Sequence, residues 1–488
     1  MLLMRMISRL FKLTACGLLL LTSGIAIAGD KTIDGGAGTD TATINYSGIS
    51  NLQSFVTRTL STDGTTLTLV DANGGTIVLK NIINTVDGSG AGTGITVGSI
   101  AYDFVDPPTT NIGSGPQGSY GGTEYRSACS STEKIHGRAY KMTRGVAVDA
   151  TNKTLVLYKD GSEPCTVMMA KNGMNSSYDN NSSGIDGYNY TNTGLTVYGY
   201  STDDYITTTP QNDTIYTYAG DDVVLAKGGT DTVDLGSGDD VLFVNTSDLS
   251  TDSSLDGGAG SDTLNFGVIH ALHRSNGHRD ESYDASVTID MTSLGNASNF
   301  ENLVGTTGND TLTGDGNANI ITGGTGTDTL NGGAGNDTLY DDINHCLYGV
   351  LAYSDCTSGG QNDYGTLGDD TLNGNAGNDT LIASAGADTL DGGTGADTLT
   401  GGAGTDTFII RASDGGSSIS DADTITDFTD GTDIIGMSGL NYSELTIEQG
   451  TGSYSSHVVV KKTSSGEFLT IIQNINLSDF DDNDFEAI

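Results

Sequence analysis

Asp204, Asp213, Asp222, Asp231 and Asp240 stand nine residues apart. The same beat returns at Asp310, Asn319, Asp328 and Asp337, and again at Asp370, Asp379, Asp388, Asp397 and Asp406. Around most of them the text reads Gly-Gly-x-Gly-x-Asp-x-Leu-x, as in GGAGNDTLY (332–340), GGTGADTLT (392–400) and GGAGTDTFI (401–409). A short period held in phase means one structural unit stacked on itself. Glycine at the first, second and fourth places lets the backbone take positive φ and bend tightly. The eighth place is apolar (Leu312, Leu330, Leu339, Leu372, Leu390, Leu399, Phe408) and is flanked by small polar residues. Each nonapeptide therefore predicts a turn followed by a short strand with one side chain inward. Two such half-coils close one turn of a flattened helix, so each stacks on the unit two repeats later. A disordered glycine-rich linker has no reason to keep Leu and Asp in phase.

Stacked strands lie about 4.8 Å apart, which sets the spacing of in-phase carboxylates. Their repulsion is roughly 1 kcal/mol per pair in water and about 3–4 kcal/mol at an effective dielectric near 20. A core of one Leu per nonapeptide does not offset that, whereas a divalent cation between turns reverses its sign. Calcium accepts six to eight oxygens in flexible geometry, which suits turns rich in free carbonyls; magnesium demands a tighter octahedron and keeps more water.

These segments resemble the RTX (hemolysin-type calcium-binding) repeat family over residues 201–265 and 305–409, with an outlier at GGAGTDTAT (35–43). The resemblance implies a parallel β-roll with calcium between turn n and turn n+2, held by the position-six Asp and backbone carbonyls. Carried over, the implied ligands are Asp204, Asp213, Asp222, Asp231, Asp240, Asp262, Asp310, Asp328, Asp337, Asp370, Asp379, Asp388, Asp397 and Asp406. The implied pairs are 204/222, 213/231, 222/240, 310/328, 319/337, 370/388, 379/397 and 388/406, or up to about eight calcium ions. Asn319 replaces Asp, and the turns before Asp204 (STDD) and Asp213 (PQND) lack the glycines, so weaker or empty sites are expected there. The segment after the last repeat, with DADTITDFTDGTDIIGMSGL (421–440) and the tail LSDFDDNDFEAI, resembles the closing segment of RTX proteins and serralysin-type proteases. It implies a cap on the open end of the stack.

A net charge of −42 on 488 residues repels nucleic-acid phosphates and keeps the calcium-free chain expanded. Folding is therefore expected to be coupled to calcium binding. At the N-terminus Arg5, Arg9 and Lys12 precede an apolar stretch from Leu13 to Leu21 and the small-residue site Ala26-Ile27-Ala28. This reads as a signal peptide cleaved near Ala28, too short for a comfortable membrane span. Leu13-Thr14-Ala15-Cys16 looks like a lipobox, but most of the apolar stretch follows the cysteine rather than preceding it. Four cysteines remain beyond the leader, Cys129, Cys165, Cys346 and Cys356. In an exported chain they suggest disulfides, and proximity favours 129–165 and 346–356 among three connectivities. Close CxxC pairing of the zinc-binding kind is absent.

The expected fold is all-β: a parallel β-roll in two or three blocks, an N-terminal antiparallel β-rich region and a C-terminal β cap. The partition is 1–28 signal peptide, 29–200 N-terminal region, 201–265 first block, 266–304 insertion, 305–340 second block, 341–366 disulfide-stapled insertion, 367–409 third block and 410–488 cap. Basic residues gather between Arg126 and Lys171, a patch suited to the acidic roll, to another copy or to an anionic polysaccharide, or else ordinary solvated lysines. His270, His273 and His278 lie close together, but their spacing does not match HExxH and reads better as a polar loop than as a metal site. The functional expectation is a non-enzymatic calcium-binding protein of a Gram-negative bacterium, secreted or at the cell surface, as adhesin, surface-layer, biofilm or filament component. The competing expectation is a secreted hydrolase or lyase with its site in 29–200; no HExxH, GxSxG or triad supports it. A pore-forming toxin is excluded by the lack of a long apolar segment beyond the leader.

Overall fold

The computed structural model describes residues 18–23, 31–35, 41–61, 66–81, 94–105, 146–149, 154–157, 159–160, 166–169, 194–208, 211–226, 228–267, 286–341 and 368–488. Every cysteine, the histidine group 270–278 and nearly all of the basic patch lie outside these residues, as does the cleavage site at Ala28. The chain is all-β, and its repeats form a parallel β-roll. It divides into two compact units: Met1–Ile135 with Ala139–Asp240 and Thr251–Gly260, and His136–Arg138 with Val241–Ser250 and Ser261–Ile488. Among the described residues no helix is long and apolar enough to cross a membrane.

In the first unit an antiparallel meander, Phe55–Leu60, Thr66–Asp71 and Thr76–Lys80, is extended in parallel by Lys31–Asp34 on one edge and Lys159–Asp160 on the other. Its alternating pattern buries Phe55, Leu67, Leu69, Ile77 and Leu79 against Ile44, Ile95 and Val97. Leu18–Ser23, the apolar stretch read as leader, pairs in parallel with Thr41–Tyr46. The antiparallel expectation for 29–200 holds for the meander and for Ile95–Val97 with Ile100–Val105. Coil-like parallel stacking nevertheless begins before the nine-residue phase does. Thr154–Leu157 lies parallel to Thr196–Tyr198, and Thr166–Met169 parallel to Asp204–Thr207. From there Thr196–Tyr198, Thr214–Tyr216, Thr232–Asp234 and Ser254–Asp256 climb in register.

In the second unit the coils alternate between two parallel sheets. One contains Val241–Phe243, Thr263–Asn265, Asn302–Val304, Ile320–Thr322, Thr338–Tyr340, Thr380–Ile382, Thr398–Thr400 and Asp423–Ile425. The other contains Thr288–Asp290, Thr311–Thr313, Thr329–Ala334, Thr371–Ala376, Thr389–Thr394, Thr407–Arg411, Ile434–Ser438 and Phe485–Ala487. Each repeat places its Leu in the register of the next, so Leu312, Leu330, Leu372, Leu390 and Phe408 form one buried column. Leu339, Leu381 and Leu399 form the facing one. The second and third blocks are continuous, because Thr338↔Thr380 and Thr329↔Thr371 pair directly on either side of the insertion. At the end, Phe468–Ile472 joins the first sheet in parallel and continues antiparallel through Val458–Lys462 and Leu445–Gln449. Phe428, Phe480 and Phe485 pack edge to face beside Phe408. This covers the last coil, as a solenoid end requires.

Candidate metal centres

Apart from Asp204, which is the first residue of its strand, each position-six Asp directly precedes a repeat strand and closes the turn. Its backbone N–H donates to the Oδ1 of the Asp one coil further on. This joins Asp204 to Asp222 (2.6 Å), Asp213 to Asp231 (2.7 Å) and Asp222 to Asp240 (2.6 Å). In the second unit it joins Asp310 to Asp328 (2.7 Å), Asn319 to Asp337 (2.8 Å), Asp370 to Asp388 (2.8 Å), Asp379 to Asp397 (2.8 Å) and Asp388 to Asp406 (3.0 Å). These hydrogen-bonded neighbours coincide with the pairs that the family resemblance implies for calcium. Two more arise across the insertion, Asp328 with Asp370 (2.5 Å) and Asp337 with Asp379 (2.7 Å).

Other residues take the same place without being in phase. Asp252 accepts from the N–H of Asp231, Asp423 from Asp397 and Asp433 from Asp406. Asp262 donates to the Oε2 of Glu301, a glutamate where other coils use aspartate. The signal was present for Asp423 and Asp433, since each precedes a Thr-Ile or Ile-Ile strand start as the repeat Asp precedes Thr-Leu.

One carboxylate oxygen is thus spent on the backbone. The other is buried, and for Asp337, Asp379, Asp388 and Asp406 it has no hydrogen-bond partner. These residues are at most 2% exposed. A bare, buried carboxylate oxygen is costly unless something positive meets it. The turn is shaped around it: a Cβ on Gly332, Gly374, Gly392 or Gly401 would press against the Oδ2 of Asp337, Asp379, Asp397 or Asp406. Position-four glycines face a second set of oxygens, because a Cβ on Gly395 or Gly404 would meet the carbonyl oxygen of Gly377 or Gly386 one coil below. Carboxylate and carbonyl oxygens converging on one turn make a hard-oxygen donor set, the chemistry that calcium takes.

Burial raises the affinity of these groups for protons. It pushes Asp388 up to about 7, with Asp341, Asp370 and Asp406 adding to the rise and the N–H of Asp370 opposing it. Asp222 is pushed up to about 7, and Asp337, Asp379 and Asp406 to about 6, each chiefly by desolvation. Asp423 is pushed up to about 9 by burial and by Asp397.

Three positions depart from the pattern. The Asn319 Nδ2 donates to the Glu301 carbonyl (2.8 Å) while its Oδ1 accepts from Asp315 N–H, so an amide proton meets an oxygen of the turn. Asp310 spends both oxygens, on the N–H groups of Val287 and Thr306. Near Asp204 a fixed cation is built in. The guanidinium of Arg58, 3% exposed, donates to the carbonyls of Phe55, Leu157 and Gly199 and lies 5.4 Å from the Tyr200 ring centroid. Its charge opposes the rise that burial and Asp222 impose on Asp204.

The coils and their carboxylate stacks define a β-roll of the calcium-binding class. The family described as RTX calcium-binding nonapeptide repeat (4 copies) matches residues 198–233, 222–242, 250–268, 301–340, 364–399 and 382–409, so the chain carries RTX calcium-binding repeats. Comparison with curated proteins gives no match. Among solved structures, the extracellular lipase LipA of Serratia marcescens is similar at 13% identity, covering 68% of this chain and 44% of the lipase chain, with a TM-score of 0.21. The AlgE6R3 subunit of the Azotobacter vinelandii mannuronan C5-epimerase is similar at 22% identity, covering 37% of this chain and 78% of that one, with a TM-score of 0.13. The chain thus spans less than half the length of the lipase it matches.

Proposed function

We propose that this is an exported, non-enzymatic calcium-binding protein that folds when it meets extracellular calcium and acts at the cell surface or in the surrounding matrix. The observation that carries the reading is the orphaned, buried Oδ2 of Asp337, Asp379, Asp388 and Asp406, in turns stacked closely on the carbonyl oxygens of neighbouring coils. Bound calcium would supply the positive charge that these stacked oxygens lack. The position-six aspartates would hold it with the turn carbonyls, while their Oδ1 atoms keep the coils in register through the backbone N–H. Affinities of roughly 0.1–1 mM suit extracellular sites, so the chain would stay open inside the cell and close outside. The basic leader with its apolar stretch and Ala26-Ile27-Ala28 supports export. The regular, acidic roll supports a structural role as adhesin, surface-layer, biofilm or filament component, with polysaccharide or other copies as partners.

The test is far-ultraviolet circular dichroism and hydrodynamic radius of the chain from Gly29 onward, in EDTA and then across a calcium titration to several millimolar. A cooperative gain of β-signal with compaction is expected. A chain already compact and β-rich in EDTA, with no response to calcium, would overturn the reading.

A further inference from the structure

Asp341 breaks the repeat in an informative way. It follows the strand Thr338–Tyr340 and occupies the first place of the next turn, where Gly332, Gly374, Gly392 and Gly401 stand in other coils. In those turns the first place must be glycine because the position-six carboxylate packs against it. Here it carries a carboxylate of its own. The Oδ2 of Asp341 accepts from the N–H of Ser384 (2.7 Å) and from its hydroxyl (3.3 Å), which holds the side chain on the following turn. There, oxygens of Asp341, Asp370 and Asp388 all lie within 4.8 Å of one another, and all three residues are buried. Independently, the Oδ2 of Asp388, a residue 1% exposed, has no hydrogen-bond partner.

We propose that Asp341, Asp370 and Asp388 form a three-carboxylate calcium site, the tightest of the second unit and the one that fills first. This rests on the calcium reading above and adds a rank order to it. An ordinary repeat site draws on the two carboxylates of stacked coils, whereas this one gathers three formal negative charges, and calcium affinity rises with ligand charge. Asp341 and Asp370 also stand on either side of residues 342–369, so one ion would hold together the two points where the roll is interrupted. It would carry part of the loop-closure cost there. Asp341 thus acts as the clasp of the insertion.

Isothermal titration of the full chain with calcium alone, with magnesium as control, tests this. In the wild type one ion per chain is expected to bind at least tenfold tighter than the bulk of the sites; a single uniform class overturns the proposal. Asp341→Asn keeps an acceptor for Ser384, and dichroism at saturating calcium checks its fold. It should move that one ion into the weaker class and leave the total unchanged, and Asp341→Glu should recover part of the tight class. Wild-type and Asp341→Asn curves that superimpose, while Asp388→Asn loses binding, would sink the clasp and leave the calcium reading standing. Absence of calcium uptake by the wild type would sink both.

Discussion

Removing calcium leaves the stacked carboxylates with one other way to fold, which is to bind protons. Asp222 and Asp388 sit at about 7 and Asp337, Asp379 and Asp406 at about 6 in the folded roll, all raised first by burial. In the unfolded chain an aspartate titrates near 3.9. Because the folded values are raised, the associated stability is fully present below about pH 4 and is lost as pH climbs through 6 to 7. At about pH 5 the folded state would hold about four more protons on these five groups than the unfolded state. Discounted for solvent screening, about two protons is the working figure. That corresponds to a gain of about 3 kcal/mol per pH unit as the pH falls through this range. The assay is circular dichroism and size-exclusion chromatography in EDTA, stepped from about pH 8 to about pH 5, above the sequence pI of 4.1. Acid should restore β-signal and compaction without metal, and calcium uptake near neutral pH should release protons that a weakly buffered indicator detects. A calcium-free chain that stays open or unfolds further on acidification would refute the burial argument for these carboxylates. Proton-silent calcium binding would refute it equally.

Gly392→Ala would press a methyl group onto the Oδ2 of Asp397 at a position whose backbone needs no positive φ. It should cost about 1–3 kcal/mol and weaken calcium uptake at that coil, read as denaturant midpoint and calorimetric stoichiometry. Asn319→Asp removes the amide donor to the Glu301 carbonyl and stacks a second carboxylate on Asp337. One additional ion per chain is expected by titration, and an unchanged count would show that the amide is not what closes that turn. Arg58→Lys keeps the charge but not the planar fork that reaches the carbonyls of Phe55, Leu157 and Gly199. Buried acceptors left without donors should cost about 3 kcal/mol in calcium-saturated melts, and a loss below about 0.5 kcal/mol would deny the guanidinium its bridging role.

The nine-residue phase was enough to reach the coil geometry because it encodes the two demands a coil makes: a tight turn and one inward side chain. It also gave the carboxylate stack, since residues in phase in the sequence are in register in space. What it could not show is what happens where residue count and coil count part. Asp337 and Asp379 are neighbours in the stack although the insertion lies between them, and only the recurrence of Asp-Thr-Leu marks the return to register. After the short helix Thr246–Thr251 the same role passes to Asp252, and at the far end to Asp423 and Asp433, where the full Gly-Gly-x-Gly text is gone and only fragments such as Gly431-Thr432-Asp433 remain. Arg58 was beyond reach in another way, because its carbonyl partner Gly199 is 141 residues away and no local pattern links them. These off-phase residues share a logic. Where the repeat begins, is interrupted or loses its Asp, other groups change what meets the turn oxygens: a guanidinium at Arg58, a third carboxylate at Asp341 that would draw calcium more strongly, and a neutral amide at Asn319. On the proposed reading, variation in ion affinity along the repeats would be written in the exceptions to the period rather than in the period itself.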